Sequence, residues 1–235
     1  MKTSAHLKGS IVPIATLLVI MLTRSQLAQA TVLTFDVTGL TDGVLLPQAY
    51  GDRVTSTLEG NFSYGSDYGF TPNVTASYVG FGGQQDLNWW STSYCDLLNV
   101  IEYEPDGANG YQVVLTADAG YTIQLNGFDL GNYGGEVVLP GITVADQNSQ
   151  IIWSQTQGLV PASGQQHLDF DFGQPLVGTT LTITVDTTGM GGNSDNMGLD
   201  NIAFGQTPEP VSVMMILAGS VGLLSKRRKS PEGSH

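Results

Sequence analysis

Short runs in which apolar and polar residues alternate fill the middle of the chain, from Thr31 to Thr207. In the run from Leu181 to Asp186, aliphatic residues alternate with threonine and aspartate, so an extended strand places the apolar side chains on one face. The other runs begin at Val32, Asn99, Tyr111, Tyr121, Glu136, Ile151, His167 and Leu199. Because turn residues separate the runs and no stretch keeps the period of a long helix, the pattern predicts an all-β fold, an antiparallel two-sheet β-sandwich.

The length and composition fit one packed domain. The chain has 235 residues, which allows one domain of ordinary size with short appendages. Hydrophobic residues make up 41% of it, enough for a core. Cys95 is the only cysteine, so no intrachain disulfide forms, and we expect a lone buried thiol in a domain stabilised by packing or ions.

The middle segment is strongly acidic. It holds 19 of the 21 Asp and Glu residues but only one of the eight Lys and Arg residues, Arg53. Such a surface repels nucleic acid and anionic lipid, which excludes them as partners of this segment. It suits cations, neutral sugars or basic partners, while acidity kept only for solubility is an equal alternative.

The N-terminus has the pattern of a secretory signal peptide. Two lysines in the first eight residues precede an apolar run, 11–22, and small residues follow at Ala28 and Ala30. This order predicts cleavage by signal peptidase between Ala30 and Thr31. The protein is therefore expected to be exported.

The C-terminal part combines a motif, an apolar stretch and a basic cluster. The motif is Pro208, Glu209 and Pro210, and the apolar stretch is 211–224. The basic cluster consists of Lys226, Arg227, Arg228 and Lys229. As a helix the apolar stretch rises about 21 Å, less than the roughly 30 Å of a bilayer core, so it spans a membrane only with help from its flanks.

This C-terminal arrangement, from Pro208 to Lys229, resembles the bacterial PEP-CTERM sorting signal. The resemblance implies handling by an exosortase-type membrane protease and delivery to the cell surface or the extracellular matrix. It also implies membrane contact through a hydrophobic sorting helix, at least before processing. A permanent tail anchor is the alternative.

The middle segment has a looser resemblance of its own. The stretches LPQAYGDRVT, YGFTPNVTASY, VVLTADAGY, GFDLGNY and LDNIAFG resemble the ectodomains of secreted PEP-CTERM proteins, which are similar to galactose-binding and carbohydrate-module jelly rolls. The resemblance implies a jelly-roll fold and no particular ligand. The predicted division of the chain is a signal peptide at 1–30, a β-sandwich ectodomain at 31–207, the sorting signal at 208–229 and a tail at 230–235.

A structural calcium ion is the first candidate for bound chemistry. The stretch from Gly191 concentrates Asp195, Asn196, Asp200 and Asn201 around glycines, which supplies hard oxygen ligands on a flexible loop. In the jelly-roll modules that the chain resembles, a calcium ion often joins the first strand to the last, which implies Asp36 and Asp200 by position. The alternative is that these Asp and Asn residues only form turns.

Two adjacent tryptophans are the candidate ligand-binding residues. Trp89 and Trp90 point to opposite faces of an extended strand, so one belongs to the core and the other could be exposed to a ligand. An exposed indole would pack on the C–H face of an extracellular polysaccharide. Two buried or half-buried rings are the interpretation that the sequence favours.

Catalytic groups are scarce. His167 is the only histidine of the middle segment, and it shares a predicted strand face with Asp169 and Asp171, an ordinary solvated flank. A pair of Cys95 with His167 has no support in the local sequence. Glu102 and Glu104 share a face and match the spacing of glycosidase carboxyls, but such pairs arise by chance in so acidic a segment.

These observations favour an exported, non-catalytic protein of the cell surface or matrix, with a structural or glycan-associating role. The alternatives are a carbohydrate-binding or adhesive module with a defined ligand site and, less favoured, a secreted glycoside hydrolase. We expect no enzyme activity.

Overall fold

The computed structural model describes residues 30–65, 70–81, 87–105 and 107–209. The predicted signal peptide apart from Ala30, and the sorting segment from Pro210 onward, lie outside the described residues. No helix within the described ranges is long and apolar enough to cross a membrane.

Strands dominate the described chain, which contains one short 3₁₀ helix, Gly191–Asn196. In chain order the strands are β1 Ala30–Leu33, β2 Asp36–Val37, β3 Val44–Leu45, β4 Leu58–Glu59, β5 Phe62–Ser63, β6 Val74–Gly80, β7 Asn88–Trp90, β8 Val100–Glu102, β9 Gly110–Ala117, β10 Tyr121–Asn132, β11 Val137–Ala145, β12 Ile151–Val160, β13 Leu168–Gly178, β14 Thr180–Asp186 and β15 Met197–Pro208. Every pairing among these described strands is antiparallel. The prediction of an all-β fold with antiparallel sheets is confirmed.

The strands form two large sheets and one small sheet. The first large sheet has the order β13-β10-β15-β8-β7-β3, with β1 also paired to β15. The second has the order β12-β11-β14-β9-β6, and the small sheet has the order β2-β5-β4. Because β15 pairs with β1, β8 and β10, the last described strand holds the first large sheet together.

Strand β14 shows how the alternating pattern builds the core. Leu181, Ile183 and Val185 are fully buried, while the threonines between them are only half-buried. The same buried cluster includes Ile123 and Leu125 of β10, in the other large sheet. Burying one such side chain stabilises a fold by about 1.5–3 kcal/mol, so the two inward faces hold the large sheets together.

The opposite side of the first large sheet, here called the outer face, carries the polar chemistry. Ile101 of β8 points into the core, so its neighbours Val100 and Glu102 point to the outer face. The loop 91–99 packs there, where Tyr94 and Leu97 form a small apolar cluster with Val100. This loop shapes the site described below.

The two ends of the described chain belong to the sheet. Ala30, the residue before the predicted cleavage position, begins β1 opposite Gly205. Strand β15 continues to Pro208, and the backbone N–H of Glu209 donates to the carbonyl of Gly120 at 2.8 Å. The first two residues of the predicted sorting motif therefore extend the last strand.

Candidate functional site

A pocket of about 120 Å³ opens on the outer face, at the end of β8. Its lining consists of Trp90, Tyr94, Glu102, Glu104, Tyr133, Asp195 and Asn196. Strand β7 supplies the tryptophan, and β8 with the residues after it supplies the two glutamates. The other lining residues come from the loop 91–99, the turn after β10 and the 3₁₀ helix. The pocket thus combines aromatic rings with carboxyl and amide groups.

The two adjacent tryptophans take different positions. Trp89 is 6% exposed and lies in the core, where its Nε1–H donates to the carbonyl of Phe35 at 2.7 Å. Trp90 is half-buried and faces the pocket. The structure therefore has one buried and one half-buried ring, because successive side chains of a strand alternate between faces.

Three rings form one wall of the pocket. The ring centroids of Trp90 and Tyr133 are 6.1 Å apart, and those of Tyr94 and Tyr133 are 5.6 Å apart. Tyr133 is 44% exposed, so part of its ring is open to a ligand. The sequence analysis did not single out Tyr133, although an aromatic residue in a glycine-rich turn, GNYGG, is a signal for an exposed ring.

Glu102 is the buried carboxyl of the pocket, with only 1% of its surface exposed. The Nε1–H of Trp90 donates to its Oε1 at 2.9 Å, whereas its Oε2 has no hydrogen-bond partner among the described residues. Burial raises the pKa of Glu102 to about 8, and repulsion from Glu104 and Asp195 acts in the same direction. The side chain is therefore mostly protonated at neutral pH unless a cation approaches it.

Glu104 and Asp195 flank Glu102 from different elements. Glu104 is exposed, and its Oε2 accepts a hydrogen bond from Nδ2 of Asn88 at 2.6 Å. Asp195 lies in the 3₁₀ helix, and its backbone carbonyl accepts a hydrogen bond from the Tyr94 hydroxyl at 3.3 Å. The two glutamates that the sequence analysis paired do meet at this pocket.

Two glycines allow the loop 91–99 to lie close to the sheet. A Cβ at Gly131 of β10 would lie 2.5 Å from the carbonyl oxygen of Tyr94, and a Cβ at Gly198 of β15 would lie 2.6 Å from the Tyr94 ring. Cys95 in this loop is buried, as expected. The backbone N–H of Asn132 donates to its Sγ at 3.3 Å, so the thiol packs against β10 and not against His167.

The residues of the calcium hypothesis lie in two places. Asp195 lines the aromatic pocket, whereas Asp200 is buried between β10 and β8, where Asp129 and Asp36 repel it. Burial is the main reason that the pKa of Asp200 lies well above its usual range, and this repulsion adds to it. Asp36 is exposed and accepts a hydrogen bond from Nδ2 of Asn99. No group of three His, Cys, Asp or Glu side chains in the described part of the chain is arranged to hold a metal ion.

His167 lies beside two carboxyls that are distant in sequence. Its Nδ1 is 2.7 Å from Oδ1 of Asp96, and its Nε2 is 3.4 Å from Oδ2 of Asp129. Asp169 and Asp171 line a shallow groove on the outer face together with Asp129. The carboxyls that contact the imidazole, Asp96 and Asp129, therefore come from other elements than Asp169 and Asp171 of β13.

No family model matches the chain, and no curated protein matches it either. The function is therefore argued from the geometry of the pocket and from the patterns at the two ends of the chain.

Proposed function

We propose that this protein is exported, reaches the cell surface or the extracellular matrix through its PEP-CTERM-type signal, and binds a glycan there without catalysis. The observation that carries the binding role is the wall of Trp90, Tyr94 and Tyr133 beside the carboxyls of the pocket. Sugar rings present C–H faces that pack on aromatic rings and hydroxyls that donate to carboxyl and amide oxygens. Both kinds of partner are present in one pocket.

The export proposal rests on the two ends of the sequence. The basic start, the apolar run and Ala30 support processing by signal peptidase, and the motif beginning at Pro208 supports handling by an exosortase-type protease. Both segments flank a domain whose first and last described strands, β1 and β15, are paired. The ends of the domain therefore leave it side by side.

A jelly-roll sandwich is the finer fold that we propose. Two antiparallel sheets with a shared core support it, and so does the position of β15 between β10 and β8. In such a fold, ligands bind on a sheet face or at a loop edge, and the pocket lies on the outer face at such an edge.

The binding role is tested with Trp90→Ala in the full chain. Affinity electrophoresis in gels containing glycol chitosan, hydroxyethylcellulose or alginate is expected to show retardation by at least one of the first two polymers. Trp90→Ala should weaken that retention at least about tenfold, a loss of about 1.4 kcal/mol, because a central aromatic contact is removed.

Phe70→Ala is the control, because Phe70 is an aromatic residue that is 42% exposed, close to the 44% of Tyr133, and does not line the pocket. Tyr133→Ala is the second test variant, since its exposed ring can be removed with little effect on folding. If the wild-type chain migrates freely in all three gels, the pocket does not bind glycan. The same conclusion follows if Phe70→Ala reduces retention as much as Trp90→Ala does.

A glycoside hydrolase is the second candidate, favoured by one observation. Glu102 holds a proton up to a pH of about 8 beside Glu104, as a general acid beside a second carboxyl must. The Oε1 of Glu102 is, however, already bonded to the Trp90 Nε1–H, which supports binding over bond cleavage. The test is whether the wild type releases reducing ends from glycol chitosan or hydroxyethylcellulose. Release by the wild type but not by Glu102→Gln would identify the protein as a hydrolase.

A structural calcium ion at Asp36 and Asp200 is a separate proposal. The support is the crowding of Asp200, Asp129 and Asp36, whose mutual repulsion a divalent cation would relieve. Calcium at a hundredfold excess over Kd should then stabilise the folded chain by about 2.7 kcal/mol and raise its Tm by several degrees. Thermal unfolding with calcium or a chelator measures this, and the rise should vanish in Asp200→Ala. Equal Tm values in both buffers would leave these acids as turn and strand residues only.

A further inference from the structure

The pocket is electrostatically biased toward a cation. Three of its lining residues are acidic, and no lysine or arginine is among the described residues that line it. Arg53, the one basic Lys or Arg of residues 31–207, is engaged elsewhere by Asp118, with Nη2 donating to Oδ1 at 2.8 Å. A positively charged ligand group would therefore enter a favourable field.

The chemistry of the wall selects an organic cation over a bare metal ion. Ring faces of Trp and Tyr attract ammonium groups through their quadrupoles, and this attraction strengthens when the cation is partly desolvated. A calcium ion instead requires six to eight oxygen ligands, and the three acids of the pocket, like the other described residues, are not grouped to hold a metal ion. An ammonium group can contact rings on one side and carboxyls on the other.

Glu102 supplies an independent indication of a ligand. Its carboxyl is almost fully buried at the pocket, yet Oε2 has no hydrogen-bond partner in the described chain. A buried polar atom without a hydrogen-bond partner destabilises the fold, and a hydrogen bond from a ligand would recover that loss. An ammonium group brings three N–H donors as well as the charge that would hold Glu102 ionised.

The volume of the pocket limits what enters it. At about 120 Å³ it is smaller than the roughly 300–1,000 Å³ of pockets that enclose a whole small-molecule ligand. It fits one substituent of a sugar residue, while the remainder of the polymer stays on the outer face. The amino group of a hexosamine is such a substituent, and it is cationic when unacetylated.

We propose that the pocket of Trp90, Glu102, Glu104 and Tyr133 binds the free ammonium group of an amino-sugar polymer. This inference rests on the proposed glycan binding and specifies the class of glycan. It predicts discrimination between free and acetylated amino groups, because acetylation removes the charge and adds bulk.

The test is calorimetric titration of the full chain with glucosamine oligomers and with N-acetylglucosamine oligomers of equal length. The glucosamine oligomer should bind at least about tenfold more tightly, since about 1.4 kcal/mol from one ammonium group gives this factor. Glu102→Gln keeps an acceptor for Trp90, so it should fold and lose most of the preference. Glu104→Gln should lose part of it.

Asp171→Asn is the matched control, because it removes one negative charge from the same outer face but lies in the shallow groove. If it reduces the preference as much as Glu102→Gln, the attraction is non-specific and the proposal fails. Equal binding of the two oligomers overturns the ammonium assignment and leaves glycan binding intact. If neither oligomer binds, the proposed function itself is wrong. Saturable binding of calcium chloride that depends on Glu102 and Glu104 would assign the pocket to a metal ion and also overturn it.

Discussion

We expect the free energy of unfolding to fall between pH 4.5 and about pH 8, and Glu102→Gln to remove much of this fall. In the unfolded chain this glutamate ionises near its ordinary pKa of 4.5, but burial keeps it protonated in the folded protein until the pH approaches about 8. Between these values the unfolded state has released a proton that the folded state retains. Rising pH therefore favours unfolding across this window.

The size of this effect follows from the shift in pKa. One pKa unit corresponds to about 1.4 kcal/mol, so the rise from 4.5 to about 8 should lower the free energy of unfolding by several kcal/mol, on the order of 5, as the pH rises through the window. The stability that its protonation contributes is fully present below pH 4.5 and is lost as the pH passes about 8. The groups that face it, Glu104, Asp195, Tyr94 and Tyr111, are acidic or neutral, so none offsets its charge.

Urea unfolding of the full chain at pH values spaced across this window measures the slope. Glu136→Gln is the control, because it replaces an exposed glutamate and should leave the slope unchanged. Some slope should remain in Glu102→Gln, since burial also raises the pKa of Asp200 and of Asp129, and adding Asp200→Asn should reduce the slope further. A slope in Glu102→Gln that equals that of the wild type would show that the carboxyl is already ionised when folded.

The sequence predicted the sheets well because their signal is local. In β14 each buried residue is two positions from the next, and the alternation alone assigned the face. The small sheet could not be predicted in this way, because β2, β4 and β5 have two residues each and are too short to alternate. Turns and long-range pairing, not local pattern, place those strands.

The candidate site was only partly predictable for a related reason. Trp90, Glu102 and Glu104 were singled out separately, and their meeting depends on the register of β7 with β8, in which Asn88 is opposite Glu102. Tyr133 and Asp195 reach the same pocket from elements far along the chain. Nothing in one sequence fixes that register or brings these turns together, so Asp195 was assigned to a calcium loop and Tyr133 to no role.

Gly131→Ala is expected to damage both stability and ligand binding. The new Cβ would lie 2.5 Å from the Tyr94 carbonyl oxygen and 2.8 Å from its carbonyl carbon. These are backbone atoms, so a side-chain rotation cannot relieve the overlap and the loop 91–99 must move away from the sheet. Overpacking of this kind costs about 1–3 kcal/mol. It also shifts Tyr94, which supports Tyr133 and the backbone of Asp195 in the pocket.

Gly135→Ala is the matched control, because it adds the same methyl group a few residues away where a Cβ meets no atom within 4 Å. Chemical unfolding and titration with the glucosamine oligomer measure the two effects on each variant. Gly131→Ala should lose stability and at least about tenfold in affinity, because the loop 91–99 forms one wall of the pocket and this wall would move. Gly135→Ala should keep the stability and the oligomer affinity of the wild type. If Gly131→Ala lost stability but bound the oligomer normally, the position of the loop 91–99 would not determine recognition, and the binding surface would have to lie on β7 and β8 alone.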